Sequence, residues 1–79
     1  MEHRKHLAGR KIRTWRERNA LTATELGERM FPADPVPPHT IYGWEERGKL
    51  ARSHRIRQRL ADMGICEFGD WLEPAQQAA

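Results

Sequence analysis

Pro37-Pro38-His39-Thr40-Ile41-Tyr42-Gly43-Trp44-Glu45-Glu46-Arg47-Gly48-Lys49 is the stretch on which the fold turns. Proline is tolerated at a first helical position and glycine commonly follows a last one, so the segment predicts a helix from Pro38 through Arg47, ended by Gly48. Wound at about 100° per residue, it gathers Ile41, Trp44 and the ring of Pro37 on one side. His39, Tyr42, Gly43 and Glu46 fall on the other. One face belongs to a core and the other is free to read something.

Outward from this helix the pattern stays helical. Upstream, Ala8, Ile12, Trp15 and Asn19 recur at spacings of four, three and four, which predicts a first helix over Leu7 to Asn19 with Arg10, Lys11, Arg13 and Arg18 opposite. Thr22 with Glu25 three residues on reads as a capping box that opens a second helix over Ala23 to Met30. Its inward residues are Leu26 and Met30, and Gly27 is small enough for another helix to come close. Phe31 to Pro38 contains four prolines and reads as a stiff extended loop. Downstream, Ser53 caps a fourth helix with Ile56, Leu60 and Met63 inward and Gly64 at its end. Phe68, Trp71 and Leu72 suggest a short fifth helix stopped near Pro74, serving to close the core, to form a self-complementary dimer patch, or both. No segment alternates with a period of two. The expected fold is all-α, with four to five short helices.

A chain of 79 residues holds one modest core, since about 60 to 65% of its unfolded surface can be buried. The expected organisation is a basic arm over 1–6, which includes His3, Arg4, Lys5 and His6, a domain over 7–73 and a frayed tail over 74–79. His3 and His6 read as solvated, though Arg4 and Lys5 could follow a phosphate strand or enter a minor groove. No apolar run approaches the ~18 residues of a membrane span and no signal peptide is apparent, so a cytoplasmic protein is expected. Cys66 is the single cysteine, which excludes an internal disulfide and a Cys-rich zinc site; it reads as a small core residue. No metal or other cofactor is expected.

The net charge of +3 conceals blocks. Residues 1–18 carry seven Lys/Arg against two acids and residues 47–59 carry six against none, whereas 19–46 hold one Arg against five acids and 60–79 hold four acids and no base. If the two basic blocks meet, they form one positive surface suited to a phosphate backbone. A helix held on its body by Ile41 and Trp44, preceded by a second helix and followed by cations, suits insertion into a DNA major groove. Arg47, Lys49 and Arg52, with Arg55 beyond them, are the expected phosphate contacts, which position rather than specify.

Residues 10–72 resemble the Xre/Cro family of lambda-repressor-like helix-turn-helix domains. The resemblance rests on Ile12-Arg13-x-x-Arg16, on Leu21-Thr22-x-x-Glu25-Leu26-Gly27, and above all on Thr40-Ile41-x-x-Trp44-Glu45-x-x-Gly48-Lys49. It implies an ion pair between Arg16 and Glu45. It also implies phosphate contacts from Thr22 and Ala23, base reading by His39, Thr40, Tyr42 and Gly43, and a backbone grip by Arg47, Lys49 and Arg52. The spacing from Leu26 to Ile41 is longer than the family's, and the extra length is the proline loop. The segment from Thr40 to Leu50 also resembles excisionase and mercury-regulator-like domains, whose wing the helical period after Ser53 argues against.

Among the base readers, Tyr42 can pack on a thymine methyl while its hydroxyl reaches a phosphate. Glu46 either accepts from a cytosine amino group or points away. Gly43 suggests close approach by DNA or by another helix. No nucleophile with its base, no phosphate-binding glycine loop and no metalloprotease motif is present, so no enzymatic activity is expected. The expected partners are double-stranded DNA and a second copy of the chain, and the expected role is a phage or bacterial transcriptional repressor. An antitoxin-like or phage adaptor module bound to another protein, supported by Glu45, Glu46 and the acidic C-terminal block, is the rival, followed by a nonspecific architectural DNA binder.

Overall fold

A computed structural model of the chain describes residues 5–74. It is all-α, with helices α1 (Leu7–Arg18), α2 (Ala23–Met30), α3 (Pro38–Glu46) and α4 (His54–Asp62), closed by a 3₁₀ helix over Phe68–Leu72. The expected arm residues His3 and Arg4 and the tail beyond Pro74 lie outside the described residues.

Local chemistry sets most of the boundaries. The Thr22 hydroxyl accepts from the Glu25 N–H at 3.1 Å while the Glu25 carboxylate accepts from the Thr22 N–H at 2.8 Å, which satisfies two donors that the start of α2 would otherwise leave open. Ser53 caps α4 through the Ile56 N–H. At the end of α4, Gly64 takes φ +74° while Gly64 and Ile65 donate to the carbonyls of Ala61 and Leu60, a Schellman motif. The end of α1 has the same pair of bonds, Ala20 to Glu17 and Leu21 to Arg16, but here the left-handed residue is Ala20 at φ 53°.

The core forms where α3 packs against both α1 and α2. Ile12, Leu26, Met30, Ile41, Trp44 and Leu60 are fully buried, and each contributes about 1.5 to 3 kcal/mol by leaving water. Trp71 meets Trp44 edge to face at 5.8 Å and closes the core from below. Cys66 is buried as expected, and desolvation pushes its thiol up to about 12, which keeps it protonated and inert.

Several expectations are corrected. Gly27 admits the proline loop rather than a helix: a Cβ there would collide with the Val36 carbonyl, and Val36 itself is buried. The same closeness between α1 and α3 occurs at Gly9, which sits against the Trp44 carbonyl. Trp15 is half-buried and Asn19 is exposed, because Asn19 is the C-cap of α1 rather than part of its inward stripe. His6 is no part of a solvated arm. It is 5% exposed and caps α1, its Nδ1 accepting from the Gly9 N–H at 2.9 Å. The stripe of Phe68, Trp71 and Leu72 is split, since a 3₁₀ helix turns through three residues and cannot hold all three on one face. Trp71 goes inside and Leu72 is 84% exposed.

Candidate nucleic-acid interface

Helix α3 starts without a side-chain cap, on Pro37 and Pro38, and ends where Arg47 and Lys49 both donate backbone N–H groups to the Gly43 carbonyl at 3.2 and 3.0 Å. That termination folds the following segment back beside the helix. The result is an open cleft of about 430 Å³ between α3 and the start of α4, lined by His39, Thr40, Arg47, Lys49, Arg52 and Ser53. Six of the residues expected to touch DNA, all of these but Ser53 together with Gly43 at the floor, therefore share one concavity. His39, Arg47, Lys49 and Arg52 are exposed there and Thr40 is half-buried. Arg47 also donates to the His39 carbonyl at 3.2 Å, which orients its guanidinium along the helix.

Tyr42 and Glu46 lie on the outer face of α3, both exposed, with the Arg16 guanidinium 5.8 Å from the Tyr42 ring centroid. Gly43 lies at the floor of the cleft. It is buried beneath Arg47 and Lys49, whose side chains lie 3.4 Å from where its Cβ would stand, so the missing side chain makes room for the protein's own cations.

Arg16 grips Glu45 through two bonds of 2.9 Å, from Nε to Oε2 and from Nη2 to Oε1, and its Nη1 donates to the Leu21 carbonyl at 3.0 Å. The bond to Glu45 holds the Arg16 guanidinium above its ordinary pKa. Glu45 is 4% exposed, so this pair fixes the roll of α3 and is not available to a ligand.

Away from the cleft the expectations fare differently. The Ala23 side chain is in the core, at 1% exposure, and offers nothing to a phosphate. The Thr22 N–H is taken by Glu25, whose carboxyl is held below its ordinary pKa by that bond and sets a negative charge at the start of α2. Arg55 lies over the Phe31 ring at 4.2 Å, on the proline loop and outside the cleft. Arg57 donates to the Ala51 carbonyl at 2.6 Å and Arg59 to the Met30 carbonyl at 2.9 Å, so most of the arginine run in α4 serves the fold.

The two basic blocks meet where His6 bonds to the Lys49 carbonyl, but much of the charge of the first is already paired. Lys11 pairs with Asp70, Arg13 with Glu17 and Arg16 with Glu45, which neutralises much of α1. Among the described residues, Arg47, Lys49 and Arg52 share one cleft and none of the three has a carboxylate partner.

One supporting residue escaped the sequence reading. His6 Nε2 donates to the Lys49 carbonyl at 2.7 Å, and with Nδ1 accepting from Gly9 the ring is fixed as the neutral tautomer protonated on Nε2. His6 thereby pins the cationic segment to the start of α1. Its place just ahead of the first helix was the only signal, and histidine is not among the residues that usually mark a cap.

Among the described residues no group of His, Cys, Asp or Glu is placed to hold a metal ion, and no helix is long and apolar enough to cross a membrane. No family model, no curated protein and no solved structure matches the chain.

Proposed function

We propose that this chain is a sequence-specific DNA-binding transcriptional regulator of helix-turn-helix type, without enzymatic activity, in which α3 enters a major groove. The observation that carries the reading is the cleft itself. Arg47, Lys49 and Arg52 stand together beside the exposed start of α3, which supports a role in gripping a phosphate strand next to a groove-bound helix. His39, Thr40, Tyr42 and Glu46 are the base readers in this reading, and α2 is the helix that crosses the backbone. A pair of copies on a pseudo-palindromic operator, acting as a phage or bacterial repressor in the cytoplasm, is the expected biological setting.

The rival reading, a module that binds another protein through acidic residues, loses one of its supports because Glu45 is buried against Arg16. The two are separated by selecting preferred sequences from a random duplex library and titrating the winner against a scrambled duplex at two salt concentrations. A regulator enriches an inverted repeat and binds it at least about a thousandfold more tightly than the control. Salt-sensitive binding with no enriched sequence would replace the reading with an architectural role, and no binding at low salt would remove DNA altogether.

A further inference from the structure

Arg47 differs from the other two cations of the cleft. It is the C-cap of α3, yet its exposed side chain does not leave the helix there. It runs back along α3 over Gly43, with Nη2 standing 3.4 Å from where a Cβ of that glycine would be, and donates to the His39 carbonyl, eight positions upstream, at 3.2 Å. Lys49 crosses Gly43 only by its stem, with Cδ at 3.4 Å, and Arg52 comes from the segment ahead of α4. Of the three cationic heads, the Arg47 guanidinium is thus the one fastened to the backbone of α3 itself.

We propose that Arg47 is a base reader rather than a phosphate contact, and that the duplex selected by this protein carries a guanine opposite the first turn of α3. The inference rests on the reading of α3 as the groove-bound helix and deepens it; Lys49 and Arg52 keep the phosphate grip. His39, Gly43 and Glu46 follow one another at spacings of four and three along the exposed face of α3, and the Arg47 side chain lies on that face. With α3 in a major groove, a guanidinium there stands among base edges, whereas the phosphate strands run along the walls of the groove. The bond to His39 uses one N–H and leaves the rest of the planar fork for O6 and N7 of guanine, the acceptor pair that such a fork spans. Because the side chain is already laid in place, it gives up little freedom when the duplex arrives, which favours a geometrically exact contact. Glu46, exposed on the same helix, repels a phosphate that comes this close and leaves a base edge undisturbed. The missing side chain at Gly43 has its use here, since anything larger than a methyl would lift the arginine off the helix.

The test uses the full chain, the duplex selected from the random library, and a set of duplexes in which each base pair of that site is replaced in turn. The parent is expected to show a guanine in the selected site whose replacement weakens binding about ten- to a hundredfold. Arg47→Lys keeps the charge but loses the planar fork. It should lose the preference at that base pair alone, with the other preferences, the salt slope and the circular dichroism spectrum those of the parent. Neither a phosphate contact nor a purely structural arginine would single out one base pair. An equal loss on every duplex with Arg47→Lys, a pattern of preferences that this variant leaves unchanged, or a selected site in which every guanine can be replaced without loss would each overturn the assignment and leave the duplex-binding reading standing. A chain that enriches and binds no duplex at low salt would remove both.

Discussion

Arg16 and Glu45 stand 29 positions apart and meet through two hydrogen bonds of 2.9 Å, the Glu45 side chain wholly excluded from solvent. The pair joins α1 to the last turn of α3. Removing the cation leaves a carboxylate stranded in the interior, so Arg16→Ala should lose about 3 to 5 kcal/mol in urea unfolding. Arg16→Lys keeps the charge but not the planar fork, and should recover only part of that loss.

Gly27→Ala should destabilise the protein by about 1 to 3 kcal/mol, although alanine is the better helix former, because the added methyl runs into the Val36 carbonyl. Thermal unfolding of the single variant measures it.

Ala20→Gly should do the reverse. Ala20 ends α1 at φ 53°, a conformation in which its Cβ is crowded, and the substitution is expected to raise stability by about 1 kcal/mol. A lower midpoint than the parent would show that the side chain contributes packing there.

Asp70 gives the protein an acid limb. Burial by itself would raise its pKa, but the Glu67 N–H at 2.8 Å and the Lys11 ammonium at 2.9 Å outweigh burial and hold it below the ordinary aspartate value. A depressed carboxyl stabilises the fold fully above its unfolded pKa, near 4, and that contribution is lost as pH falls through the folded value. Lys11 is shifted upward, chiefly by its bond to Asp70, so its share persists below the ordinary lysine value and disappears as pH rises through the folded one. Urea titrations between about pH 2 and 6 should show Asp70→Asn about 1 kcal/mol less stable than the parent near neutrality, with the two converging as acid is added.

On DNA, Arg52→Ala and Tyr42→Ala should separate. Arg52→Ala is expected to weaken selected and scrambled duplexes alike and to flatten the salt dependence by about one unit of slope. Tyr42→Ala should reduce discrimination between them by about 1 to 3 kcal/mol. Equal losses on both duplexes for both variants would break the division between reading and positioning.

What could be read in the sequence was whatever a few neighbouring residues decide. The Thr22 and Glu25 box, the Ser53 cap, the Pro38 start and the Gly64 stop are each settled within one turn, and the helices fall close to where those signals put them. The cleft was legible in part, because Arg47, Lys49 and Arg52 crowd one short loop beside a helix whose faces were plain. What was hidden depends on partners far along the chain. Nothing near Gly43 tells that Arg47 and Lys49 will fold over it, nothing near Arg55 points to Phe31, and nothing near His6 points to Lys49. Ala23 was misplaced because the resemblance alone assigned it a phosphate contact, whereas its methyl turns into the core.

The bridge between His6 and Pro74 makes the described chain very nearly a ring. A ring can be opened where little is lost, and the proline loop offers such a place at the exposed Ala33 and Asp34, where the backbone bond given up is that from the Asp34 N–H to the Phe31 carbonyl. A circular permutant that links the two ends with a few flexible residues and begins at Asp34 should retain every buried contact of α1, α3 and the 3₁₀ helix, while reversing the order in which α3 and α1 emerge during synthesis.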